Sequence, residues 1–135
     1  MMTLFDAPDR ESSCVMRSRS NTALQSLGLL NETQRVEMSR KLAERLIKST
    51  DDDQRRLDFL YGLLSSRKPT ANEKKACIKL VSTMRERYKS SEEDALALIS
   101  SGDAPRDQKI PVTELAAWTQ LTTIVLASDA AILIY

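Results

Sequence analysis

The side chains that could do chemistry are concentrated in the first 25 positions of the chain. They combine carboxylate, guanidinium and amide groups at short spacing: Asp6, Asp9, Arg10, Glu11, Arg17, Arg19, Asn21 and Gln25. Paired carboxylates can share acid and base work where burial separates their pKa values, and arginines bind carboxylate, sulfate or phosphate through two parallel hydrogen bonds. The functional interpretation is half of a ligand-binding site, whose candidate residues are Asp6, Asp9, Arg10, Arg17, Arg19 and Asn21. The structural interpretation, which the sequence favours, is that these groups pair with each other to fix an irregular segment.

No complete catalytic or metal-binding set accompanies this group. The chain has no histidine, which excludes a Ser-His-Asp or Cys-His mechanism within it and removes the commonest zinc ligand. Cys14 and Cys77 lack the spacing of a metal or redox motif, so they are either two free thiols near a core or one disulfide. The hydroxyls of Ser12, Ser13 and Thr22 are typical of caps and turns. The chain therefore predicts neither a cofactor of its own nor an autonomous catalytic set, and whether it takes part in catalysis stays open.

The charge balance gives no indication of a polyanionic partner. The 20 basic and 19 acidic side chains nearly cancel, so no overall field favours nucleic acid or an anionic membrane. A basic group exists at Arg35, Arg40, Lys41, Arg45 and Lys48, but Glu32, Glu37 and Glu44 lie between its members at helical spacing. We interpret it as a solvated face with salt bridges, and not as a nucleic-acid site. No run of apolar residues is long enough for a membrane span, and no secretory signal is visible at the N-terminus.

Composition and periodicity predict an all-α protein. Apolar content is 41%, and three glycines and four prolines are too few for the many turns of an all-β chain. The pattern predicts about six amphipathic helices in a small orthogonal or antiparallel helical bundle, preceded by an irregular N-terminal arm. The predicted boundaries are 1–20 for a docking arm, 21–129 for the helical domain and 130–135 for an apolar tail.

Capping residues place the helix ends. Ser20 or Asn21 can cap the first helix, and Asn31 with Gln34 has the form of a capping box for the second. Thr50 or Asp51 is expected to open the third helix. Thr70 with Glu73 is the clearest capping box and follows the stop at Pro69. Ser91 begins a fifth helix that Gly102 is expected to end in a left-handed conformation, and the sixth begins near Val112.

Apolar spacing predicts which faces are buried. Leu24, Leu27 and Leu30 share one face of the first helix, and the polar face of the second helix carries Arg40, Lys41, Glu44, Arg45 and Lys48. The fourth helix has a core-facing stripe of Ala76, Cys77, Leu80, Val81, Met84 and Tyr88, which favours packing as the role of that thiol. The sixth helix carries Leu115, Trp118, Leu121, Ile124 and Val125 on one side. The second and third helices, like the fourth and fifth, suggest antiparallel hairpins.

The stretch from Phe5 to Asn31 resembles the signature near the end of a large planctomycete family. Its pattern is F-D-A-P-D-R-E-x-x-C-x-x-R-x-R-x-N-T-x-L-Q-x-L-x-L-L-N. Members are secreted-type multidomain proteins with a cytochrome-C-like domain and domains of unknown function, the last numbered 1553. Further similarity lies at Ala43-Glu44-Arg45-Leu46, Arg67-Lys68-Pro69-Thr70, Gly102-Asp103-Ala104-Pro105 and Glu114-Leu115-Ala116-Ala117-Trp118-Thr119. The resemblance covers nearly the whole chain, but after Asp129 the family usually has a glutamate where this chain has Ala130.

The resemblance implies a piece of something larger. Members are longer on the N-terminal side, so this chain resembles a C-terminal fragment whose expected partner is the missing N-terminal portion of its own family. Haem would belong only to that upstream portion, and the family suggests a periplasmic or secreted location. We expect a structural or interaction role. The alternative is that the Asp and Arg residues of the arm contribute to a ligand-processing or glycan-processing site that upstream residues complete.

Overall fold

The structure, a computed structural model, is a bundle of helices built around one central helix. It describes residues 22–132, apart from the side chains of Ser26 and Leu29. Within that range there are seven helices and no strand: α1 Ala23–Asn31, α2 Thr33–Ser49, α3 Asp53–Ser65, α4 Ala71–Ser90, α5 Glu92–Ile99, α6 Val112–Leu126 and α7 Asp129–Ile132. The all-α prediction is confirmed. The short α7 lies where the sequence left the path of residues 130–135 open, and the predicted arm lies outside the described residues.

Helix α6 forms the centre of the bundle. Five consecutive residues, 115–119, are buried, including Trp118 at 0% exposure. A helix that is buried all round must be covered by neighbours on every side, and α2, α4 and α5 make the most extensive contacts with it. The predicted pairs α2 with α3 and α4 with α5 do touch each other. The expected one-sided stripe on α6 was wrong, since residues 115–119 are buried around the whole helix while Ile124 is 38% exposed.

The best-defined helix start is that of α4. The Glu73 amide donates to Thr70 Oγ1 at 3.3 Å, and the Thr70 amide donates to Glu73 Oε2 at 2.6 Å. This reciprocal pair satisfies two of the amide groups that have no partner within a helix. The capping box predicted for α4 is therefore confirmed, as is Ser91 as the N-cap of α5.

Four other predicted helix ends were wrong by one or two residues. The N-cap of α1 is Thr22, which forms a capping box with Gln25, and the N-cap of α3 is Asp52. Asn31 does not cap α2, because it is the last residue of α1 and its Nδ2 donates back to the Leu27 carbonyl. Helix α5 ends at Ile99 with Ser100 in a right-handed conformation, so Gly102, although its φ is 89°, belongs to the following loop.

Helix α1 is oriented opposite to the expectation from its leucines. Gln25 is buried at 8% exposure, whereas Leu24 and Leu27 are 62% and 54% exposed, and Leu30 is 36% exposed. The leucine stripe predicted from the spacing exists, but it faces outward and does not enter the core. An apolar stripe on the outer face of a helix is a surface that another element can cover.

Two other predicted faces also need correction. Arg40 and Glu44, which were placed on the polar face of α2, are 1% and 6% exposed because a loop lies over them. In α4, Ala76 is exposed, while Cys77, Val81 and Tyr88 form the buried part of the stripe. The core is built from Cys77, Val81 and Tyr88 together with Ala43, Leu46, Leu57, Leu60, Ala95, Ile99 and the buried residues of α6.

Candidate functional site

The candidate site residues from the sequence, Asp6, Asp9, Arg10, Arg17, Arg19 and Asn21, all lie outside the described part of the chain. Their assignment stays a prediction. The only member of the larger group that is described is Gln25. Its side chain accepts a hydrogen bond from the Thr22 amide at 3.2 Å, so it takes part in the capping box of α1.

The densest polar cluster that the structure shows joins α3, α4 and α6, and we call it the ion network: Asp53, Arg56, Arg85, Glu114 and Trp118. Arg85 donates to both oxygens of Asp53, at 2.7 and 2.9 Å, and to both oxygens of Glu114, at 2.7 and 2.6 Å. Arg56 donates to the same two carboxylates, at 3.2 Å to Asp53 and 3.0 Å to Glu114. Each arginine therefore bridges two helices that are distant in sequence.

Trp118 contacts both Glu114 and Arg56 of the network. Its indole Nε1 donates to Glu114 Oε1 at 3.0 Å, and the Arg56 guanidinium carbon lies 5.4 Å from the centre of its ring. A guanidinium over an indole face is attracted by the ring electrons. Since Trp118 is the largest fully buried side chain, the network forms a polar cover over the centre of the core.

The electrostatics hold both carboxylates in their charged form. Hydrogen bonds from Arg85 lower the pKa of Asp53, although its partial burial opposes this. Burial raises the pKa of Glu114, but the hydrogen bonds from Arg85 and Trp118, with the positive charge of both arginines, leave that pKa below its ordinary value. The pKa of Arg85 is raised, first through its hydrogen bond to Glu114. Two carboxylates and two guanidinium groups thus neutralise each other.

This arrangement suits a structural role better than a catalytic one. A general acid needs a carboxyl group whose pKa is raised toward neutral pH, whereas the pKa values of both acids here are lowered. The network was not predicted from the sequence, because Asp53 and Arg85 were not singled out and Glu114 was noted only within the family resemblance. The local spacings Asp53 to Arg56 and Glu114 to Trp118 were visible, but nothing in the sequence brings α3 and α6 together.

The basic group on α2 is used for internal contacts with two other segments. Arg40 Nη2 donates to the Ala104 carbonyl at 2.6 Å, and the Asp107 amide donates to Glu44 Oε1 at 3.1 Å. Lys48 pairs with Asp107 at 2.6 Å, and Arg35 donates to the Leu126 carbonyl at 3.0 Å. Of the three acidic residues expected to form salt bridges on this face, Glu44 pairs with Arg40 and Lys41, whereas Glu37 accepts from the Asp103 amide. The face also anchors the loop of residues 100–111 and the end of α6.

Arg40 is the most buried charged residue in the described part of the chain, and its charge is only partly matched. Its Nη1 lies 3.6 Å from Glu44 Oε1, but Nε and Nη1 make no hydrogen bond there. Buried charges normally need both a counter-ion and hydrogen bonds. Arg40 is thus a structural anchor for the loop, and it does not present its guanidinium to a ligand on the surface.

Cys77 is a free thiol in the core, which confirms the packing role expected for it. Its sulfur lies 3.9 Å from the hydroxyl oxygen of Tyr61. Burial raises the pKa of the Cys77 thiol, and burial followed by the neighbouring sulfur raises the pKa of Tyr61. A thiol whose pKa is raised is a poor nucleophile. Cys14 lies outside the described residues.

Residues 22–132 also show no cluster of three or more potential metal ligands. Over the same range, none of the helices combines the length and apolar character needed to cross a bilayer. The class that the described part defines is therefore an all-helical domain held by a central buried helix and by an ion network that is closed on itself.

The sequence comparison identifies the family. The model of a family described as PSD1, Protein of unknown function (DUF1553), matches residues 1–81. The chain belongs to this family, as the resemblance at Phe5 to Asn31 implied. The match does not test the planctomycete source, the cytochrome-C-like domain or the position at a C-terminus, which stay predictions. A search of curated proteins and a search of solved structures found no match.

Proposed function

We propose that this chain is a non-catalytic helical domain that binds another part of a protein of its own family. The surface that supports this proposal is a shallow apolar depression of about 400 Å³ between α2 and α3, which we call the α2–α3 patch. It is lined by Met38, Leu42, Leu63, Leu64 and Leu126, with Lys41 and Arg45 at its edge.

The main support for this proposal is that large apolar side chains at the α2–α3 patch are exposed to solvent. Met38 is 47% exposed and Leu63 is 42% exposed, whereas Leu46 of α2 and Leu60 of α3 are 0% exposed. A contiguous apolar surface with a polar edge is typical of a protein-binding site. Arg45 lies at the edge, exposed to solvent, with its guanidinium carbon 5.4 Å from the centre of the Phe59 ring.

The chemistry of the patch fits an amphipathic helix with acidic residues beside its apolar stripe. Apolar side chains of such a helix would lie between α2 and α3, as in other helix-in-groove complexes. A carboxylate flanking the stripe would meet Arg45 and Lys41, which gives the orientation of the helix. The resemblance to longer proteins indicates the upstream portion of a family member as the source of this helix.

The test is a binding titration. The full 135-residue chain, labelled with a fluorophore, is titrated with the separately expressed upstream portion of a longer family member. We expect saturable binding that Leu63→Asp weakens at least tenfold, because burying one leucine contributes about 1.5 to 3 kcal/mol and about 1.4 kcal/mol is a factor of ten.

The matched control is Leu96→Asp, at a residue of α5 that is 38% exposed. Circular dichroism of both variants verifies that the bundle remains folded. Absence of binding to a folded upstream portion, or equal weakening by both substitutions, would rule out the α2–α3 patch as the binding surface. A ligand site at Asp6, Asp9, Arg10, Arg17, Arg19 and Asn21 stays a prediction, and no contact of the described residues favours it.

A further inference from the structure

A second apolar surface lies between α1, α5 and α6, and we call it the α1 groove. It is a groove of about 430 Å³ whose apolar lining comes from Leu27, Leu30, Val36, Leu98 and Ile124. The outward-facing leucines of α1 form one wall. Leu27 is 54% exposed and Ile124 is 38% exposed.

We propose that the α1 groove binds a segment of this same chain, the apolar triplet Cys14-Val15-Met16. The triplet contains the only apolar residues between Asp9 and Asn21, in a run that is otherwise charged or small and polar. A short apolar group inside a polar segment is the pattern by which such a segment docks on a hydrophobic groove. The sequence alone had suggested a surface outside this chain for the arm.

The length of the chain supports this occupant. Residues 1–21 join the described part at Thr22, where α1 begins. From Thr22 to Leu30 the helix rises about 12 Å, at about 1.5 Å per residue. Six to eight residues span at most about 20 to 26 Å at about 3.3 Å per residue. Positions 14–16 precede Thr22 by six to eight residues, so they are within reach of Leu27 and Leu30.

The orientation of α1 agrees with this placement. Helix α1 buries its polar Gln25 and turns its leucines outward. These leucines stay exposed to solvent unless another segment covers them. The proposal does not depend on the α2–α3 patch.

Disulfide trapping tests the proposal, because Cys14 supplies one thiol. Leu27→Cys or Leu30→Cys supplies the other, and a disulfide forms only where the two Cα atoms approach to about 4.4 to 6.8 Å. The matched control is Leu63→Cys on α3, which is 42% exposed. Cys77 is buried and common to all variants. Oxidised glutathione is the oxidant, and peptide mass spectrometry of the unreduced chain measures the product.

We expect intramolecular trapping of Cys14 at least ten times faster with Leu27→Cys or Leu30→Cys than with Leu63→Cys. Adding Val15→Asp and Met16→Asp should slow this trapping to the control rate, whereas Ser12→Asp and Ser13→Asp should not. Equal rates for groove and control thiols would overturn the proposal. A predominantly intermolecular disulfide would also overturn it, by identifying a second copy of the chain as the occupant.

Discussion

Removing the Glu114 carboxylate should destabilise the bundle more than any other single change in the ion network. Glu114 accepts hydrogen bonds from Arg56, Arg85 and Trp118. In Glu114→Ala the two arginines keep Asp53 as a partner, but they share one carboxylate between two positive charges, and the indole N–H loses its acceptor. The side chain of Arg56 is only 6% exposed, so water cannot replace the lost partner there.

The size of the effect follows from the exposure of each group. Removing one member of a fully buried ion pair costs about 3 to 5 kcal/mol. The Glu114 side chain is 24% exposed and Arg85 is 27% exposed, so solvent screens part of the interaction. We expect Glu114→Ala to lower the free energy of unfolding by about 2 to 3 kcal/mol. Glu114→Gln keeps the shape and one acceptor but loses the charge, and should cost about 1 to 2 kcal/mol.

The assay is urea denaturation followed by circular dichroism at pH 7 and at several lower pH values. The control is Glu86→Ala, on an exposed position beside Arg85 in α4, which should change stability by no more than about 0.5 kcal/mol. A cost below about 1 kcal/mol for Glu114→Ala would refute the assigned role, because charge-assisted hydrogen bonds alone contribute about 1.5 to 3 kcal/mol.

The pH dependence gives an independent measure of the same interaction. The pKa of Glu114 is lower in the folded chain than in the unfolded one, where a glutamate has a pKa of about 4.3. The ionised form therefore stabilises the fold above that value, and this stabilisation is lost as the pH falls from the unfolded pKa through the folded pKa. The difference between the wild-type chain and Glu114→Gln should be constant above about pH 5 and should shrink below about pH 4. A difference that stays unchanged down to pH 3 would contradict the argument.

Four further substitutions test the fold by the same denaturation assay. Gly62→Ala should stabilise the fold by about 0.5 to 1 kcal/mol, because Gly62 lies inside α3 with open space at its Cβ position. Gly102→Ala should destabilise the fold by about 1 to 2 kcal/mol, because φ is 89° there and the Glu37 side chain occupies the space. Equal effects of the two substitutions would refute this contrast. Thr70→Ala should cost about 1 kcal/mol through loss of the α4 cap, while the exposed Thr83→Ala, in the middle of α4, should cost nothing. Leu46→Ala, at 0% exposure, should cost about 2 to 5 kcal/mol, and a smaller loss would contradict tight packing of the core around Leu46.

Local signals in the sequence predicted the helices well, and they failed where two helices must be brought together. The Thr70 and Glu73 box and the buried Cys77 depend on residues within one or two turns, so the sequence contains all that determines them. Spacing shows which residues share a face, but it does not show what covers that face. For this reason the leucines of α1 were expected to pack inward, and Arg40 was expected to be solvated.

The ion network shows the same limit at a longer range. Glu114 lies on α6, and its partners Arg56 and Arg85 lie on α3 and α4, so no periodicity relates them. Opposite charges are common in any soluble chain, so a pair that is distant in sequence becomes visible only when the helices that hold it are packed. The candidate residues of the arm cannot be compared in this way, because they lie outside the described part.

The end of the family match does not coincide with a boundary in the packing of the helices. The matched segment ends at Val81, inside α4, whereas the packing extends without a break to α6. Helix α2 belongs to the matched segment but makes its most extensive contact with α6, and Arg56 pairs with Glu114 across the same boundary. Helix α2 therefore makes its most extensive contact with a helix that the family match does not include. We expect residues 22–81 not to fold without α6, because α2 would lose that contact.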